Sequence, residues 1–354
     1  MSILFEPLKV GELQLPNRII MSPLTRCRAG DGRVPTPLMA EYYTQRASAG
    51  LIITEATSIC PMGVGYPDTP GMWTDEQVEG WRLVTTSVHK AGGKIFLQLW
   101  HVGRISDPVY LNGELPVSAS EIAADGHPSL IRPIHPFVVP RALKLDEIAQ
   151  VVAAYGQAAL NAKLAGFDGV ELHVANGYLL DQFLQDGTNK RTDIYGGVIE
   201  NRARLLLEAL DAAIEVWGAG RVGVHISPRC DVHSMSDSNP QATFRYVARE
   251  LGKRKIAFIF ARAKLGDDNL HGVLKQEFGG VYIINQGLTQ GLAEAEINAG
   301  RADAAGWGQL FIANPDLPKR FRLGSELNVP RPSLFYGGNK DGYTDYPFLT
   351  RTKL

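Results

Sequence analysis

The sequence is short of several things, and each shortage closes off a class of function. Cysteine is scarce, with three in 354 residues, and Cys27, Cys60 and Cys230 form no C-x-x-C pair. An odd, scattered set excludes a disulfide framework and fits a reducing compartment, with all three thiols inert. No apolar run approaches the ~18–20 residues that a membrane-crossing helix needs. The opening Met1-Ser2-Ile3-Leu4-Phe5-Glu6-Pro7 lacks the basic start and long apolar core of a secretion signal, so the expected location is the cytoplasm. Excess charge of one sign is missing too: 36 Lys and Arg face 37 Asp and Glu, a formal net charge of -1. Without a basic block, neither nucleic acid nor a membrane is an expected partner. No His-x-His or His/Asp cluster has metal-ligand spacing, so no metal is expected. Gly-x-Ser-x-Gly and a Ser-His-Asp set are also absent, which disfavours triad hydrolysis.

What the chain does contain is a repeated alternation. Short, mostly apolar runs at 18–21, 51–54, 94–99, 169–173, 222–226, 257–260, 281–285 and 302–305 read as parallel strands covered on both faces. Helical patterns at 145–165, 200–217, 243–252 and 292–300 lie between the later ones, the first stopped by Gly166. Eight such units predict an α/β chain closed into a (β/α)₈ TIM barrel, one domain over 1–354. Residues 1–16 carry a Val10-Gly11-Glu12-Leu13 turn, which predicts a small hairpin plugging the barrel floor. Residues 101–141, after the third strand, are rich in Pro, Gly and Ser. So long a connection predicts a lid or subdomain over the mouth.

Barrel enzymes build their sites at the C-terminal ends of the strands. The segment His173-Val174-Ala175-Asn176-Gly177-Tyr178 stands at the fourth such end. A helical turn there puts His173 and Asn176 on one face, three apart. Their imidazole and amide N–H groups can then converge on one oxygen and stabilise charge on it. Tyr178 holds its proton at neutral pH and is a natural general acid. The residues alone leave a second reading open, in which a carboxylate satisfies the histidine and Asn-Gly is a turn. Gly287 and Gly308, after strands seven and eight, let backbone N–H groups approach a phosphate, or serve as ordinary turns. Lys264 lies just past strand six, giving little support to Schiff-base chemistry.

Longer motifs then point to a family. They include Leu4-Phe5-Glu6-Pro7, Ser22-Pro23-Leu24-Thr25-Arg26 and Gln98-Leu99-Trp100-His101, the block from Gly166 to Leu184, and Phe311-Ile312-Ala313-Asn314-Pro315-Asp316-Leu317. Across nearly its whole length the chain resembles the old yellow enzyme family of FMN-dependent ene-reductases, most of all bacterial xenobiotic and nitrate-ester reductases. The resemblance implies one FMN-binding domain, a monomer or weak homodimer, with NADPH or NADH as reductant. Implied substrates are small enones, with nitro compounds and nitrate esters as further candidates. Pro23, Leu24, Thr25, Ala56 and Gln98 would hold the flavin ring. His225 would sit at its N1/O2 edge, and Gln286, Gly287, Gly308 and Gln309 near its phosphate. His173 and Asn176 would grip the substrate oxygen and Tyr178 would deliver the proton. Tyr66, Trp100 and Tyr343 would shape the pocket. Two positions depart from the family pattern: His225 and Gln309 stand where arginines are usual. They motivate an alternative, a degenerate flavin-binding member with low turnover, and raise the question of what replaces the lost charges; Arg229 is one candidate.

Overall fold

The computed structural model describes residues 2–229, 232–266 and 269–349. The hairpin strands are β1 (Leu8–Val10) and β2 (Leu13–Leu15). The barrel follows with β3 (Ile19–Met21), β4 (Leu51–Ile53), a short β5 (Thr57–Ser58) and β6 (Ile95–Trp100). Two short strands, β7 (Val117–Ser118) and β8 (Arg141–Ala142), lie apart from it. The barrel is completed by β9 (Gly169–Val174), β10 (Val222–Ile226), β11 (Phe258–Arg262), β12 (Val281–Asn285) and β13 (Ala304–Trp307). Parallel pairing runs from β3 through β4, β6, β9, β10, β11 and β12 to β13, which pairs back onto β3. That closure leaves no sheet edge, as the eight expected units require.

The expected hairpin is there and plugs the floor. Val10, Leu13 and Leu15 pack with inward-facing residues such as Ile20, Leu51, Phe96, Phe258 and Ile283. Its turn depends on Gly11, whose φ is 54°; a Cβ there would sit 2.1 Å from the carbonyl oxygen of Gly220. Inside the barrel, rings face glycines. A Cβ on Gly169 would lie 2.3 Å from the Phe96 ring and 2.3 Å from Arg221 O. Gly169→Ala is therefore expected to destabilise the barrel by about 1–3 kcal/mol through overpacking, read as a lower urea midpoint with an unchanged slope. An unaltered midpoint would contradict this packing.

Helix Leu145–Leu164 spans the expected pattern, while the 200–217 pattern is divided at Ala203 into Ile199–Arg202 and Arg204–Trp217. Their apolar faces meet, and the Trp217 indole N–H donates to Ala159 O at 2.9 Å. Four strands end later than the apolar runs suggest, β6 and β9 by one residue and β11 and β13 by two. An apolar run stops at a charge, but the ladder from β11 to β12 continues to the pair Arg262 and Asn285. Likewise β13 runs on to Trp307, held by β3.

The 101–141 segment is a folded cap. β7 and β8 pair at its base. The buried Arg104 guanidinium donates to Ile122 O at 2.9 Å and His233 O at 2.7 Å. Val102, Ile105, Ala124 and Phe137 pack on Tyr66, Trp100 and Tyr178. Cys27 is buried and Cys60 half-buried, both free thiols, and burial pushes them up to about 12 and about 11, which keeps them protonated and inert. Cys230 lies outside the described residues. Among those residues no helix is long and apolar enough to cross a membrane, and no group of acidic, His or Cys side chains has the makings of a metal site.

Candidate active site

The strand exits converge on one cavity of about 670 Å³, within the ~300–1,000 Å³ of ligand pockets. Pro23, Leu24 and Thr25 reach it from the β3 exit, and Ala56 from that of β4. Gln98 and Trp100 come from β6, His173 with Asn176 and Tyr178 from β9, and His225 from β10. Gln286 and Gly287 follow β12, and Gly308 and Gln309 follow β13. Most of the expected site is thus brought together.

Parallel register sets the two histidines side by side. His173 and His225 are Cα partners on β9 and β10, and their rings stack with centroids 5.2 Å apart, 8° from parallel. Burial first, then the Arg262 and His233 charges, push His173 down to about 3. It is neutral at physiological pH and keeps one N–H. Its Nδ1 is buried without a hydrogen-bond partner among the described residues. No carboxylate among the described residues satisfies it, so one half of the second reading of this segment is not met; the other half, an Asn-Gly turn, is present.

The route to Asn176 differs from the expected helical turn. Asn176 has φ 60° and Gly177 φ 77°, a left-handed turn, and the helix starts only at Leu179. The Asn176 N–H donates to Ser227 Oγ at 2.7 Å, and its Oδ1 accepts from Arg262 Nη1 at 2.7 Å. Arginine only donates, so the side-chain amide is oriented with its oxygen toward Arg262. Tyr178 packs edge-on against Trp100 and His173, both at 5.0 Å. Burial, followed by Tyr66, raises its pKa well above the usual phenol value. Its hydroxyl lies 3.0 Å from that of Tyr66.

Two expected pocket residues stand elsewhere. Tyr66 is behind Tyr178, bonded to it, and does not line the cavity. Tyr343 is fully buried away from the cavity, stacked on Tyr42 at 4.0 Å, with the Arg28 guanidinium 4.4 Å over its ring. Tyr336 and Pro330, from the same C-terminal stretch, take the wall position instead. No residue of 101–141 lines the cavity; that segment backs Tyr66, Trp100 and Tyr178 from outside. Arg262 does line it and was missed. The one available signal was its place at the sixth strand's end.

His225 is no cation. Burial, with the neighbouring His173 and Arg262, pushes it well below the usual imidazole value. The Gln98 amide donates to Glu171 Oε2 at 2.7 Å and lies 3.1 Å from His225 Nδ1, which therefore accepts. His225 then carries its proton on Nε2, a buried donor with no partner among the described residues. Glu171 is fully buried and pushed up to about 8 by loss of hydration. The folded state holds that proton while the unfolded chain releases it near 4.5. Stability is therefore lost as pH climbs from the unfolded value through about 8. Glu171→Gln is expected to raise the melting temperature by a few degrees at pH 8 and by less at pH 5. An equal rise at both would contradict the burial argument.

The same arrangement has relatives. Residues 3–328 match the NADH:flavin oxidoreductase / NADH oxidase family. This chain belongs to that family. It is 42% identical to 12-oxophytodienoate reductase 1 of Oryza sativa subsp. japonica, over 98% of this chain and 93% of the rice protein. It is 44% identical to a probable flavin mononucleotide-dependent alkene reductase of Leishmania infantum, over 98% of each. Among solved structures it matches morphinone reductase in complex with tetrahydroNAD, with TM-score 0.96, 49% identity, 99% of this chain and 98% of the other. The old yellow enzyme homologue from Zymomonas mobilis gives TM-score 0.95 at 44% identity, covering 98% of this chain and 99% of that one.

The cavity of this flavin oxidoreductase fits a flavin. Among the described residues no carboxylate lines it, and His225 Nε2 and Trp100 Nε1 are buried donors without partners. With its N–H₂ directed at Glu171 and His225, Gln98 presents its carbonyl oxygen as an acceptor for a flavin imide N–H. At the phosphate end Gln286 and Gly287 run left-handed, at φ 98° and 69°. A Cβ on Gly308 would press Leu24 at 3.0 Å. These backbone positions can cradle a phosphate with their N–H groups. Of the two absent arginines, neither is replaced by Arg229, which is exposed and off the cavity.

Proposed function

We propose that the protein is an ene-reductase that holds FMN in this cavity and reduces the activated C=C bond of α,β-unsaturated carbonyl compounds. The reductant is NADPH, with NADH as the second candidate; the similar morphinone reductase was solved with tetrahydroNAD. The observation that carries the reading is the convergence of His173, Asn176 and Tyr178 on one cavity wall beside Gln98 and Trp100.

FMN, when bound, supplies the hydride chemistry at N5, between nicotinamide and alkene. The chain's own residues do the rest. Neutral His173 and the Asn176 amide hold the carbonyl oxygen, where negative charge develops as hydride reaches the β carbon. Donors aimed at charge that appears only in the transition state lower the barrier more than they tighten binding. The Arg262 charge behind Asn176 strengthens that N–H as a donor. Tyr178 gives its proton to the α carbon. Nitro compounds and nitrate esters present an oxygen that the same pair can hold, and are proposed as secondary substrates.

The test is anaerobic. Purified protein should be yellow, bleach with NADPH, and regain colour on adding 2-cyclohexenone. Colourless protein that FMN cannot reconstitute would overturn the reading. Yellow protein that does not bleach would favour the flavin-binding member with low turnover that His225 and Gln309 suggest.

A further inference from the structure

Arg262 is the one formally charged side chain among the described residues lining the cavity. A guanidinium has five N–H donors and no acceptor. Arg262 uses one of them on Asn176 Oδ1, and no carboxylate among the described residues pairs with it. Its backbone pairs with Asn285 on β12, but its side chain runs the other way, across β10 to the β9 exit. It is thereby tethered to the oxygen-gripping side of the cavity and not to the Gly287 and Gly308 loops. The cost of a half-buried cation without a counter-charge falls when an anion enters beside it.

We propose that Arg262 is an anion subsite for the acceptor, so that the preferred substrates are enones carrying a carboxylate close to the activating carbonyl. The carbonyl oxygen sits on His173 and Asn176, and the carboxylate takes the remaining N–H groups of Arg262. This rests on the enone reading above, and adds to it a substrate class: unsaturated oxo acids over neutral enones of the same size.

The test uses non-reacting saturated analogues and the oxidised, FMN-loaded protein. Isothermal titration compares 3-oxocyclohexanecarboxylate with its methyl ester. The acid should bind about tenfold tighter or more, the ratio expected when a charged hydrogen-bonded pair forms. Arg262→Gln keeps a donor for Asn176 Oδ1 and removes the charge; it should erase the preference. Arg262→Lys should retain part of it. Equal binding of acid and ester to the wild type would overturn the proposal. So would an Arg262→Gln variant that keeps the acid preference but sheds FMN on ultrafiltration, which would assign the guanidinium to the cofactor. Turnover of 2-cyclohexenone by the wild type, measured alongside, separates these outcomes from a failure of the enone reading itself.

Discussion

Tyr178→Phe is expected to slow enone reduction by about 10²–10⁴-fold, the span that a positioned general acid contributes. The substitution keeps the ring, so the edge-on packing against Trp100 and His173 survives. Only the proton and its hydrogen bond to Tyr66 are lost. Because burial keeps the phenol protonated well beyond its usual range, the wild-type rate should not fall through loss of this acid anywhere between pH 6 and 9. Bleaching by NADPH needs no proton from Tyr178 and should stay near the wild-type rate. Stopped-flow measurement of both halves separates the two. Equal slowing of both would remove Tyr178 from the proton-donor role.

Asn176→Ala and His173→Ala form the second large expectation. Loss of one donor to a developing oxyanion costs about 10²–10³-fold in turnover. Neither position should add a pH dependence to turnover around neutral pH. His173 stays neutral down to about 3, so the wild type should show no limb from its titration near pH 6.5. Asn176 does not titrate, but its amide is held by Arg262. Asn176→Asp, which replaces the amide by an acceptor, should lose as much turnover as Asn176→Ala. Recovery of activity in the aspartate variant would mean that the amide N–H does not matter.

How far the sequence carries one toward this site can be seen residue by residue. The strands and the floor hairpin are legible because apolar runs, a Gly11 turn and a Gly166 stop are local signals. His173, His225 and Gln98 reach the cavity because a parallel barrel strand delivers its inward residues near the C-terminal end to the mouth. Asn176 was placed in the right site by the wrong route. Helical spacing and a left-handed turn both put it near His173, and spacing alone does not choose between them. Arg262 was missed because a charge ends an apolar run, whereas pairing with Asn285 keeps it in the strand. Tyr343 was misplaced because its partners, Tyr42 and Arg28, lie some three hundred positions away in the chain. The cap at 101–141 follows from a buried Arg104 and a two-residue strand pair, neither of which has a local signature.

The central claim is that the His173 and Asn176 pair activates the acceptor by stabilising charge on its carbonyl oxygen. The direct measurement is single-turnover recovery of colour when NADPH-reduced protein meets 2-cyclohexenone without oxygen, in wild type and in the His173→Ala/Asn176→Ala double variant. The account predicts that recovery is slowed by about 10²-fold or more in the double variant, once its flavin has been fully reduced. Recovery at the wild-type rate would contradict it.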